Sequence, residues 1–279
     1  MGGLYFFTLQ KILFDSRWNR FMEWYSYILV VLAGVFAGFI NVLAGSGSIL
    51  ILALLIFLGL PATVANGTLR IAILMQNIVG VASFKQQKVF KYKEGIGLAL
   101  PAIVGSILGA VFAVNINEKI MERTIGAILI VLFFIVLYKP DAWVKGQAGK
   151  MGKRPSLSQN IIFFFIGFYG GFIQAGVGFF LLAGLVLGAG FNLVKANAIK
   201  IFIVLLYTAF ALAVFIYNDQ VDYKIGLILG LGNMIGAWFG TRFAVSWGAK
   251  YVRYILMGVI IVASIKFLGV FDLFMMILK

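Results

Sequence analysis

Apolar runs close to membrane-spanning length recur along the whole chain, at 24–44, 64–84, 95–114, 120–138, 159–175, 195–217, 225–245 and 251–270. A helix of about twenty apolar residues crosses the hydrocarbon of a bilayer. In lipid every backbone polar group needs an internal partner, which leaves helices as the spanning form for such runs. Hydrophobic residues make up 63% of the 279 and charged residues only 11%. So little polar surface cannot cover a soluble fold. The expected class is an all-α polytopic membrane protein of about eight transmembrane helices. Two shorter apolar segments, 48–60 and 178–191, each follow a glycine-rich break and read as half-helices.

The net charge of +14 lies mostly between the apolar runs, notably in "KQQKVFKYK" (85–93) and "KPDAWVKGQAGKMGKRP" (139–155). Such clusters mark cytoplasmic loops, so the implied partner is membrane lipid rather than nucleic acid. Residues 1–23 combine aromatic and basic residues and are expected to lie as a helix in the membrane interface. Their basic residues follow the short apolar part, unlike a cleavable signal peptide. Cysteine and histidine are both absent. That excludes disulfides, metal sites built on thiolate or imidazole, and nucleophile–histidine catalysis. No catalytic residue, metal or cofactor is expected.

Offsetting the chain against itself by 131 residues brings like onto like. Gly45-Ser46-Gly47 falls on Gly176-Val177-Gly178, and "VANGTLRIAIL" (64–74) falls on "KANAIKIFIVL" (195–205), which pairs Asn66 with Asn197. "GSILGAVFAV" (105–114) falls on "GAWFGTRFAV" (236–245) with both glycines kept. The expectation is an internal duplication: a first repeat at 24–138, a basic cytoplasmic linker at 139–158 and a second repeat at 159–279. Four crossings in each half would place both termini inside and make the halves parallel; this scheme is favoured over an odd number, which would invert them. The G-x-x-x-G pairs Gly34/Gly38, Gly105/Gly109, Gly167/Gly171 and Gly236/Gly240 predict close helix contacts.

A glycine break at membrane depth is tolerated where protein or a water-filled cavity satisfies the backbone. The first break is Gly45-Ser46-Gly47-Ser48, with Asn41 one turn before it; the second is Gly176-Val177-Gly178, preceded by Gln174. A helix that restarts after a break turns N–H groups and positive dipole toward the gap, which favours an anion. Arg70 and Lys200 sit inside apolar segments, while all nine acidic residues fall in loops or at segment ends. A cation at that depth needs a partner or a cavity. These residues predict a net-positive midplane pocket for a small anion. Arg70 is its main electrostatic anchor and Lys200 a second charge. Asn66 and Asn197 are orienting amides, and Ser46, Gly47, Ser48 and Gly178 form the opposite wall. Asn41 and Gln174 read as gates or packing, and Gly45 and Gly176 as hinges.

These motifs also carry a resemblance. "GVFAGFINVLAGSGSILILALLIFLGLPATVANGTLRIAIL" (34–74), "YKEGIGLALPAIVGSILGA" (92–110) and "GLILGLGNMIGAWFGTRFA" (226–244) resemble the sulfite exporter TauE/SafE family, also described as a sulfonate uptake permease family. The resemblance spans roughly 28–138 and 160–270. It implies a multi-pass protein of the bacterial inner membrane that moves sulfite, organosulfonates or related anions, usually outward. An anion channel with the same pocket, or a membrane scaffold whose glycines serve only packing, are the alternatives.

Overall fold

The structure is a computed structural model that describes residues 24–89, 92–121, 123–125, 127 and 155–267. The interfacial segment expected at 1–23, most of the span expected at 120–138 and most of the linker at 139–158 lie outside the described residues. Among the described residues all regular structure is helical. In chain order the helices are α1 (Trp24–Ala44), α2 (Gly47–Phe57), α3 (Ala62–Gln86), α4 (Tyr92–Val114), α5 (Leu157–Phe172), α6 (Val177–Ala183, continued by a π turn Gly184–Gly188), α7 (Leu193–Tyr217) and α8 (Tyr223–Phe267). Four of these hold stretches long and apolar enough to cross a membrane: Tyr27–Ala44 in α1, and α3, α4 and α7.

Local sequence explains where the helices stop. α1 ends at Gly45, whose φ of 76° is open to glycine at little cost, and α2 ends at Gly59 with φ 96°. After Gly59, the N–H of Leu60 reaches back to the carbonyl of Leu55, which closes the helix end in the Schellman manner. Pro61 then supplies the extended backbone that opens α3. α5 opens with a capping box between Ser156 and Gln159, and α7 with the Asn192 side chain accepting from the N–H of Lys195. The six left-handed residues fall into three pairs at the same 131-residue spacing: Gly45 with Gly176, Gly59 with Gly190, and Lys88 with Asp219.

Polarity runs inside out. Leu29, Leu32 and Phe36 on α1, Leu100, Val104 and Leu108 on α4, and Leu227, Leu231 and Ile235 on α8 are exposed at helical spacing. Arg70, Gln76, Asn77, Lys200 and Asn233 are buried. Apolar stripes that face outward around a polar interior are what a bilayer protein requires.

Glycines set the helix contacts. A Cβ at Gly105 or Gly109 would strike the backbone of α5 at Phe164 and Phe168, and one at Gly167 or Gly171 would strike α4 at Ala102 and Ser106. Gly232 and Gly236 on α8 meet Val31 and Val35 on α1, and Gly34 and Gly38 meet α8 in return. These are backbone-to-backbone contacts that only glycine allows, the small-residue packing expected in lipid.

The same contacts fix direction. Positions on α1 and α8 rise together (Val31 with Gly232, Val35 with Gly236), as do those on α3 and α8 (Gly226 with Thr68, Gly230 with Met75), so α1, α3 and α8 are parallel. α4 and α5 also rise together, and Gly95 meets Ile199 while Ser106 bonds the carbonyl of Tyr207, so α4, α5 and α7 are parallel to one another. α3 and α7 are antiparallel, since Gly67 packs on Phe215 while Gly80 packs on Ile201. Segments that share the 131-residue register therefore run in opposite directions. The expectation of four crossings in each half, with parallel halves, is corrected: α2 folds back along α1, with Gly47 against Ala37 and Asn41. α6 likewise folds back along α5, where Gly184 meets Phe163 and Gln159 donates to the carbonyl of Gly188. Each broken helix and its short successor form a hairpin that enters and leaves on one side.

A second correction concerns the separate spans expected at 225–245 and 251–270: one helix, α8, runs without interruption from the first of these into the second as far as Phe267. In the first half Asn115 donates to the carbonyl of Val111 and Asn117 accepts from the N–H of Ile120, which ends one helix and starts the next. The second half has Ser246-Trp247-Gly248-Ala249 there, with serine and glycine in place of the two asparagines.

Gly171→Val should lower stability by about 1–3 kcal/mol through overpacking against Ser106. Gly188→Ala, where an added Cβ meets nothing within 4 Å, should leave it unchanged. Thermal unfolding in detergent compares the two.

Candidate functional site

A helix that stops inside a membrane leaves its last carbonyls without N–H partners. α1 and α5 both stop this way, and each is capped from the other half. Lys200 on α7 donates through Nζ to the carbonyls of Asn41 (2.9 Å) and Val42 (2.8 Å) at the end of α1. Asn197, one turn earlier, donates to the carbonyl of Leu43 (3.4 Å) and accepts the third Lys200 contact at 2.8 Å. Arg70 on α3 donates to the carbonyls of Gly170 (3.0 Å) and Gly171 (2.6 Å) at the end of α5. Asn66, one turn before it, donates to the carbonyl of Phe172 at 2.8 Å. A cation at a helix C-terminus also meets the negative end of the macrodipole. The four residues singled out for anion binding thus form two crossed caps, each an asparagine and a cation.

Both cations are buried, Arg70 at 0% and Lys200 at 2% exposure. Neither has a carboxylate partner; the salt bridge among the described residues joins Lys195 to Glu94. The guanidinium of Arg70 also lies 4.5 Å over the Phe215 ring and donates to Gln174 Oε1 at 3.3 Å. Backbone carbonyls and, for Arg70, an aromatic face are what these two side chains meet instead.

The two breaks meet. A Cβ on Gly45 would collide with Gly178, and one on Gly178 with Gly45. Ser48 Oγ accepts the N–H of Gly176 at 3.0 Å and ties the first break to the second. Beside this crossing is a cavity of about 10 Å³, room for the centre of one water molecule. Its polar wall comprises Asn41, Ser48, Gln76, Asn77, Gln174 and Lys200; Val177, Ile201 and Val204 form an apolar wall, and Gly178 closes it.

The sequence-predicted residues divide accordingly. Asn41, Ser48, Gln174, Gly178 and Lys200 line the cavity. Arg70, expected as the main anchor, does not line it, because the α5 carbonyls hold its guanidinium. Asn66 and Asn197 are engaged as caps, and Gly47 packs against Ala37. Ser46 is buried with its hydroxyl unpartnered, outside the cavity wall. Gly45 and Gly176, expected as hinges, both have left-handed backbone, with φ of 76° and 73°. The restart after Gly176 is weaker than expected: α6 has seven α-helical residues before its π turn, so little dipole accumulates there.

Beyond the geometry, a family model described as "Sulfite exporter TauE/SafE" matches residues 30–267. The chain belongs to the sulfite exporter TauE/SafE family. A probable membrane transporter protein of Sinorhizobium sp, ORF9, is 29% identical over 237 residues, which covers 85% of this chain and 90% of the relative. The probable membrane transporter protein YfcA of Escherichia coli K12 is 27% identical over 233 residues, covering 83% and 86%. YjnA of Bacillus subtilis, also named a probable membrane transporter protein, is 25% identical over 255 residues, covering 86% and 98%. No solved structure matches the chain significantly.

In this TauE/SafE protein, sequence reasoning missed Gln76, Asn77, Tyr207 and Asn233. Tyr207 accepts from Gln174 Nε2 at 3.2 Å, and Asn233 donates to Gln76 Oε1 at 3.4 Å. Two adjacent amides in mid-helix, "QN" at 76–77, were the available signal.

Arg70→Lys should cost about 1–3 kcal/mol of stability, since one ammonium lacks the planar fork that holds the Gly170 and Gly171 carbonyls together. A lowered thermal midpoint in detergent checks this.

Proposed function

We propose that this TauE/SafE membrane transporter carries a small sulfur-containing anion, sulfite or an organosulfonate, outward across the bacterial inner membrane. The halves at 24–138 and 159–279 are inverted repeats of one ancestral unit, joined by a basic cytoplasmic linker. The reading is supported above all by Lys200: a buried amine on a cavity wall with no carboxylate partner among the described residues. Ionised side chains inside a membrane mark substrate paths when they face a cavity. A second support is the absence, among the described residues, of any acidic or histidine cluster able to hold a metal ion. Cation transport calls for carboxylates or converging carbonyls in the path.

In this reading the substrate binds between the two hairpin tips, near Ser48, Gly178 and Lys200. Asn41 and Gln174 border the site. Asn66 and Arg70, with Asn197, hold the helix ends that frame it, and Arg70 adds its field from behind the α5 terminus. The cavity takes one water at most as it stands, so Gly45 and Gly178 must part for cargo to enter. Opening toward one side and then the other, by movement of one hairpin against the other, gives alternating access.

Proteoliposomes loaded with sulfite test the proposal. Saturable counterflow of sulfite is expected, lost in Lys200→Met and partly retained in Lys200→Arg, with both variants checked for folding by thermal midpoint. Unsaturable current that follows voltage would mean a channel, and normal counterflow in a folded Lys200→Met would remove Lys200 from the mechanism.

A further inference from the structure

Gln76 and Asn77 sit in the middle of α3, each 1% exposed, where an unsatisfied amide costs as much as a lost hydrogen bond. Gln76 Oε1 accepts from Asn41 Nδ2 on α1 (3.2 Å) and from Asn233 Nδ2 on α8 (3.4 Å). Gln76 Nε2 then donates to Asn77 Oδ1 at 3.3 Å. Every link of this amide chain points the same way. At its end Asn77 Nδ2 has no partner, although it is buried on the cavity wall. Polarisation along such a chain strengthens the last donor.

Other groups around the cavity are committed differently. The three Lys200 contacts all go to the protein, to Asn41, Val42 and Asn197. Lys200 supplies a field, yet a direct bond from it to cargo would break a cap. Ser48 Oγ takes the N–H of Gly176, which leaves its hydroxyl proton free to donate. The side-chain acceptors of Gln76, Asn77 and Gln174 are occupied by protein donors. At the 131-residue offset Gln76-Asn77 falls on Tyr207-Thr208, so the second half offers no matching amide. On the cavity wall the donor is one-sided, because Thr208 does not line it.

We propose that Asn77 is the residue that grips and orients the cargo, donating from Nδ2 to an oxygen of the anion, with Ser48 as its neighbour and the Asn41–Gln76–Asn233 network as its support. The assignment rests on the anion reading above and adds which side chain makes the direct hydrogen bond. An orphaned donor at the end of this amide chain, beside a positive charge, selects a ligand that is both negative and a hydrogen-bond acceptor.

The test is isothermal titration of sulfite, and separately of sulfoacetate, into the purified full chain in detergent. Asn77→Ala should weaken binding about 10- to 100-fold, the loss expected for one hydrogen bond to a charged group. Asn77→Asp keeps an acceptor for Gln76 Nε2 and replaces the donor by a carboxylate, so binding should fall below detection. Asn77→Ser retains a donor and should lie between wild type and alanine. Wild-type binding with affinity within twofold in folded Ala and Asp variants overturns the Asn77 assignment alone. If Ala and Asp lower the thermal midpoint, the serine variant carries the comparison, and unchanged affinity there overturns the assignment too. A wild type that binds neither anion overturns the anion reading, and this inference with it.

Discussion

Two helices that end inside the membrane, each capped by an asparagine and a cation from the opposite half, hold the rest of the structure in place. A broken helix in lipid is unstable until its terminal carbonyls find donors. Here the donors come from α7 for α1 and from α3 for α5, so neither hairpin is complete without the other half of the chain. The exchange explains why the long helices pair across halves, α1 with α8 and α4 with α5, and why the breaks end up against one another. It also explains how the membrane interior tolerates two positive charges without a carboxylate: each is solvated by helix-end dipoles.

Much of this was legible from residues that break local rules. Glycines at 45 and 176 interrupt apolar runs that otherwise favour helix, and both interruptions occur where expected, with left-handed backbone at each. Arg70 and Lys200 stood out because a charge amid apolar residues has few places to go, and both are buried. Their partners were not legible. A backbone carbonyl has no signature in sequence, and the carbonyls concerned belong to helix ends more than a hundred residues away. The cations therefore read as waiting for an external counter-charge when two helix termini already engage them.

Direction was hidden for a related reason. Short apolar segments such as 48–60 fit a tilted span or a returning half-helix equally well by length, and only the packing of Gly47 on Ala37 separates the two. The same ambiguity let α8 read as two spans, since a helix continues by default where nothing caps it. The adjacent pair Gln76-Asn77 was visible, but its meaning, like that of Asn233, arises only from convergence of α1, α3 and α8 on one point.

The contact between Gly45 and Gly178 has a mechanical implication. Interlocked side chains resist separation because each must change rotamer and leave a well-fitted hole. Where Gly45 meets Gly178 two bare peptide surfaces touch, and the side chains that mesh, Ile40 and Ala44 with Phe179, lie beside that point. The two glycines therefore leave nothing to interdigitate at their own contact, and the bond from Gly176 to Ser48 is a polar tie across it.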